Sequence, residues 1–158
     1  MIEFNYKLNY KHINFRKKEN RTLYRIGRGE QGVLLVRPYT NLICRNWRFK
    51  TIPEAKKSAK KIFDMYMSFR AVKDFIGMDM CRKFLEMGFT RARRYANHKD
   101  GNKYDENGSV KPQEKDWATS EKAKAAKIHK RYRDLVTHDP IYIKMRKTWR
   151  ELENVWGI

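Results

Sequence analysis

The segment Arg91-Ala92-Arg93-Arg94-Tyr95-Ala96-Asn97-His98-Lys99 gathers five basic or titratable groups around one phenol and one amide. Guanidinium forks match phosphate oxygens and an aromatic ring can stack on a base, so the run reads as chemistry for holding nucleic acid. On a helix, Arg91, Arg94 and His98 share a stripe, and Arg93 with Asn97 makes the neighbouring one. Arg94 lies at the centre of that surface. A solvated helix with Tyr95 packed inward is the plainer alternative.

Two further segments carry reactive types. In Gly27-Arg28-Gly29-Glu30-Gln31-Gly32, the glycines free backbone amides to approach a phosphate, Arg28 adds a guanidinium, and Gly29 and Gln31 lie within the same loop. No lysine and hydroxyl follow the glycines and no helix opens there, so the loop is neither a Walker loop nor a dinucleotide fingerprint. Arg37 and Tyr39 lie just beyond the next apolar run, where they could join a ligand held by the loop. A turn needing glycine at positive φ explains the spacing equally. In Gly77-Met78-Asp79-Met80-Cys81-Arg82-Lys83, Asp79 can pair with Arg82 or Lys83 at helical spacing. An ion pair is the favoured reading; Asp79 and Glu30 are the acid–base alternatives. Trp117 and Tyr95 join Tyr39 as stacking candidates.

Catalytic machinery is otherwise lacking in the pattern. Cys81 has no activating histidine near it, and His12, His98, His129 and His138 are too scattered to bind zinc. No cofactor or metal is expected, and a binding protein is expected rather than an enzyme. Cys44 and Cys81 read as buried free thiols in a reducing compartment. The amino terminus, MIEFNYKLNY, lacks the features of a secretory leader, and no run approaches the roughly 20 apolar residues of a membrane span. A cytoplasmic protein without a transmembrane segment is expected.

Net charge points to the partner. The chain has 37 Lys and Arg against 18 Asp and Glu in 158 residues, a formal charge of +19. Such a field raises affinity and encounter rate for polyanions.

The elements that must position these groups follow from periodicity. Phe4, Tyr6, Leu8 and Tyr10 alternate with polar residues, and Thr22–Ile26 and Val33–Val36 flank the glycine loop; the pattern predicts strands and a hairpin. Trp47–Phe49 would add a short strand. Thr51-Ile52-Pro53-Glu54 is a helix start, with Ala55, Ala59, Ile62 and Tyr66 on one face and Lys56, Lys57, Lys60 and Lys61 on the other. A second helix is predicted from about Ala71 to Met87, stopped by Gly88, and a third from Arg91 to about Asn97, capped by Thr90. Residues 99–115 read as a flexible loop. Helices are predicted over Ser120–Val136 and after Asp139-Pro140. The expected architecture is one α+β domain over residues 1–158: a small, mainly antiparallel amino-terminal sheet packed against three to five helices.

Four stretches also carry a family likeness: Tyr24 to Val36, Trp47 to Thr51, Gly77 to Leu85 and Thr90 to Lys99. Through them the chain resembles, over nearly its whole length, an uncharacterised family of small bacterial and phage proteins, the domain of unknown function 4385. The resemblance implies a phage setting but assigns no activity, substrate or site residue. The expected function is nonspecific binding of nucleic acid through the phosphate backbone, as an accessory factor of a phage in its host's cytoplasm. The alternatives are an enzyme or sensor for a nucleotide or phosphorylated metabolite, and a phage protein that binds an acidic host protein.

Overall fold

In the computed structural model, residues 3–157 are described; the opening Met1-Ile2 of the amino-terminal segment and Ile158 lie outside them. Five α-helices follow an amino-terminal segment of turns: α1 (Tyr39–Cys44), α2 (Ile52–Ala71), α3 (Phe75–Asn97), α4 (Glu121–Thr137) and α5 (Pro140–Trp156). Two 3-10 helices, Tyr10–His12 and Lys18–Leu23, lie within the amino-terminal segment.

The starts of α2, α4 and α5 lie where the sequence puts them. Thr51 accepts from the Glu54 amide at 3.2 Å, Ser120 from Ala123 at 3.2 Å, and Asp139 from Ile141 at 3.0 Å. Each satisfies an amide that the first helical turn leaves without a partner. Proline at the first or second position of α2 and α5 supplies a pre-set φ.

The α+β expectation is overturned. Among the described residues there is no sheet; the one strand-like pairing is an isolated antiparallel bridge between Tyr104 and Val110, inside the turn-rich segment 99–115. The amino-terminal segment is wound rather than extended. Val33 and Val36 are buried while Leu34 is exposed, a spacing of three, and the amides of Val33 and Leu35 donate three residues back to Glu30 and Gly32. Phe4 and Tyr10 are buried but Tyr6, between them in the alternating pattern, is exposed. Trp47–Phe49 is irregular. Positive φ is needed at Gly32 (76°), where a Cβ would also lie 2.1 Å from the Phe4 ring.

The predicted break at Gly88 is also overturned. α3 runs unbroken through Gly88 and Thr90. Thr90 caps nothing; its hydroxyl donates to Glu30 at 2.8 Å. Every residue from Phe75 to Leu85 is buried, so α3 is the central helix, with α1, α2, α4 and α5 all packing on it. A helix enclosed all round is ordinarily apolar; this one carries Asp79, Arg82 and Lys83 in its buried stretch.

At Gly88, α3 lies against the ring of His129 on α4. A Cβ there would lie 2.1 Å from Cδ2 of His129, which is fully buried on α4. Alanine gains about 1 kcal/mol of helix propensity over glycine, but overpacking a closed core costs about 1–3 kcal/mol. Because the His129 ring is fully buried, Gly88→Ala is expected to destabilise the protein by up to about 2 kcal/mol net. Urea unfolding measures it; an unchanged or raised midpoint would show that the helix spacing is not set at this glycine.

Candidate functional site

Asp79, Arg82 and Lys83 occupy one side of α3 by their three- and four-residue spacing, between the turn at 24–31 and α5. Asp79 is fully buried. Its Oδ1 accepts from Arg82 Nε at 2.7 Å and from the Tyr142 hydroxyl at 2.6 Å, and the Tyr24 hydroxyl donates to its Oδ2. Burial alone would raise the carboxyl's pKa, but the charges of Arg82 and Lys83 and these hydrogen bonds hold it well below the usual carboxylate range. Asp79 is therefore a permanent anion, and the ion-pair reading describes its contacts. Tyr24 and Tyr142 are pushed upward, chiefly by burial.

Lys83 is fully enclosed, with its ammonium 4.7 Å from the Tyr24 ring centroid and 5.0 Å from that of Phe4. It donates to the carbonyls of Gln31 (2.7 Å) and Arg25 (3.3 Å), and lies 4.0 Å from Asp79. Burial pushes its pKa down to about 7; Asp79 raises it and neighbouring Arg82 lowers it further.

Arg82 reaches the carbonyl of Gly29 at 2.8 Å, and Arg150 of α5 reaches that of Gly27 at 2.6 Å. Trp149 donates to the Tyr24 carbonyl, and buried Glu153 accepts from the Ile26 amide at 2.7 Å. Within the glycine loop, the carbonyls of Gly27, Gly29 and Gln31 face α3 and α5. The amide cradle expected of a phosphate loop is not the geometry formed on this side.

Between the loop and α5 lies an open cleft of about 690 Å³. Arg28, Arg82, Arg146, Lys147 and Arg150 line it together with Tyr142, and no carboxylate residue does. Arg28 pairs with Glu3, Arg82 with Asp79, and Arg150 with Glu153 at 3.1 Å. Sequence reasoning put Arg28 and Gly29 in one loop and Arg82 in a separate ion pair, and it missed Arg146, Lys147 and Arg150. The signal was available: Tyr142, Arg146 and Arg150 recur at four-residue steps, which puts them on one side of a helix.

The remaining sequence candidates lie elsewhere. Arg37 is half-buried and outside the cleft; Tyr39 is fully buried, donates to Asp74 at 2.6 Å and offers no open face to a base. Gln31 is spent within its turn, accepting from the Arg28 amide. Arg94, Tyr95 and Lys99 are exposed, and Arg91 is half-buried. His98 turns inward as the residue after α3, so it does not extend the exposed stripe. Asn97 Oδ1 and His98 Nδ1 are buried without a hydrogen-bond partner among the described residues.

Arg93 enters a second groove, of about 710 Å³, between the end of α3 and α4. Lys127, Lys130 and Arg131 line it too, against one carboxylate, Asp134, already paired with Lys130 and Arg133. Arg93 also donates to the carbonyl of Trp117, whose side chain is partly exposed. Neither cysteine is in a disulfide; Cys44 is half-buried, and Cys81 is buried with its thiol pKa raised by burial. No group of three or more metal-ligating side chains forms among the described residues.

These features define an all-helical, strongly cationic protein built around a buried ion cluster. The chain belongs to the family described as domain of unknown function DUF4385, which matches residues 5–152. No curated protein and no solved structure matches it.

Removing the Asp79 charge leaves Arg82 and Lys83 enclosed without their counter-ion, so Asp79→Asn is expected to cost about 3–5 kcal/mol in denaturant unfolding. Lys83 adds a pH signature. The unfolded chain keeps its proton up to the ordinary 10.5, whereas the folded chain releases it near 7. Between these values the unfolded state binds more protons, so this group makes stability rise with pH. Unfolding free energies from pH 7 to 10 should show that rise in the parent and a flatter profile in Lys83→Gln. Parallel profiles would refute the assignment.

Proposed function

We propose that the protein binds nucleic acid through the phosphate backbone, without sequence preference, in the groove between α3 and α4. The observation that carries this reading is that Arg93, Lys127, Lys130 and Arg131 line the groove against one carboxylate that is already paired. Exposed Arg94 and Lys99 extend the cationic surface beyond the groove, and Trp117 offers a partly exposed ring beside Arg93. Backbone contacts of this type position a strand and read no bases.

No helix among the described residues is long and apolar enough to cross a membrane. A cytoplasmic setting, in the host where the gene is carried by a phage, fits the reading. An acidic host protein presents the same sign of charge, so the partner must be separated by experiment.

Binding to short duplex and single-stranded probes should weaken steeply with salt, by roughly 0.7–0.9 in log–log slope per phosphate neutralised. Arg131→Ala and Arg94→Ala should each lower that slope by about one, with stability changed by less than about 0.5 kcal/mol. Salt-independent binding, no binding at low salt, or an acidic protein retained in stoichiometric amount after nuclease would defeat the proposal.

A further inference from the structure

The cleft between the glycine turn and α5 is separate from the groove assigned to the strand, and its chemistry is more selective. Five basic side chains line it, Arg28, Arg82, Arg146, Lys147 and Arg150, and Lys83 lies buried next to Arg82 on α3. Three carboxylates, Glu3, Asp79 and Glu153, answer them. Arg146 is half-buried and Lys147 exposed, and neither has an ion pair or hydrogen bond among the described residues.

The neutral polar groups of the cleft already have partners within the protein. The carbonyls of Gly27 and Gly29 already accept from Arg150 and Arg82, the Tyr142 hydroxyl donates to Asp79, and the Thr137 hydroxyl donates to the carbonyl of Asp134. The guanidinium and ammonium groups can only donate, and Arg146 and Lys147 leave positive charge that no carboxylate among the described residues answers. A ligand that accepts hydrogen bonds and carries more than one negative charge matches both conditions. A neutral or cationic ligand lacks the charge.

Size narrows the choice. About 690 Å³ lies within the range of small-ligand sites, roughly 300–1,000 Å³, and is too small to take in a duplex. Exposed Ile143 adds apolar surface to the lining. Arginine forks bind phosphate oxygens two at a time, and a phosphate monoester has three terminal oxygens and a charge near two.

We propose that this cleft is a phosphate-monoester site, with Arg146 and Lys147 as the principal contacts and Arg82 and Arg150 as pre-positioned donors. The monoester can come from a free nucleotide or from the phosphorylated end of a strand. Either source uses the same contacts.

The test uses the full chain at constant ionic strength. Adenosine monophosphate and inorganic phosphate should raise the thermal midpoint, whereas adenosine and an equal ionic strength of chloride should not. A 5′-phosphorylated single strand should bind at least fivefold more tightly than the same strand with a 5′-hydroxyl if strand ends are the source. A midpoint shift without this end preference identifies free nucleotide as the source and still supports the site. Arg146→Ala and, independently, exposed Lys147→Ala should remove the shift and any end preference while leaving most nonspecific strand affinity. Arg131→Ala should do the reverse, weakening strand binding while keeping the monophosphate response; a parent that answers monophosphate but binds no strand defeats only the groove reading. The cleft proposal is overturned if neither the midpoint shift nor the end preference occurs in the parent. It is also overturned if both variants keep the parent response, or if chloride or a glutamate-rich peptide of equal charge gives the same shift.

Discussion

Backbone carbonyls in the turn from Tyr24 to Gln31 must find donors, and they find them on the side chains of two helices. Lys83 serves Arg25 and Gln31, Arg82 serves Gly29, Arg150 serves Gly27 and Trp149 serves Tyr24. Glu153 answers the buried amide of Ile26. An unpaired buried peptide group costs free energy comparable to a lost hydrogen bond, so some partner is obligatory. In this protein, side chains from α3 and α5 occupy the place a neighbouring strand would take. Attachment of the amino-terminal segment to the helices rests heavily on that exchange.

Its consequence is a concentration of buried charge. Two cations enclosed on α3 need a counter-ion, and Asp79 supplies it while being steadied by two tyrosine hydroxyls. Buried ion pairs of this kind add little net stability relative to well-packed apolar groups, yet losing one partner is severe. Asp79 is thus better understood as a structural anion than as an acid or base. Arg82 is held against the cleft wall by its bonds to Asp79 and Gly29, so part of the cleft's cationic lining follows from the solution to the carbonyl problem. Surface charge on α2 and α4 has a different origin: Lys56, Lys57, Lys60, Lys124, Lys127 and Lys130 occupy the exposed faces of amphipathic helices.

Local signals were legible where local chemistry decides. Thr51, Ser120 and Asp139 cap their helices because a side-chain oxygen three residues or fewer from an orphan amide needs no tertiary help. The pairing of Asp79 with Arg82 is likewise an adjacent-turn contact, readable from spacing. Gly88 misled because it looks like a helix stop. Its role is to let the His129 ring approach α3, which depends on a residue 41 positions away. Arg91, Arg94 and His98 share a helical spacing, but the chain leaves the helix at His98 and buries that ring. The cleft residues Arg146, Lys147 and Arg150 were missed because their partner surface comes from the other end of the chain.

By itself, the sequence determined the cationic character, the starts of α2, α4 and α5, the inward face of α2, and the local ion pair on α3, all of which depend on composition or on neighbours within a turn or two. Tertiary structure alone decided that the β-like runs at 4–10, 22–26 and 33–36 would form turns, 3-10 helix and irregular chain rather than paired strands. Strand propensity reflects fitness for a pleated surface with a partner edge, and α3 and α5 supplied discrete side-chain donors instead of an edge. It also decided which arginines meet. Helical spacing can align residues along one element, but only the folding of α5 against the turn at 24–31 brings Arg146 and Arg150 beside Arg28 and Arg82.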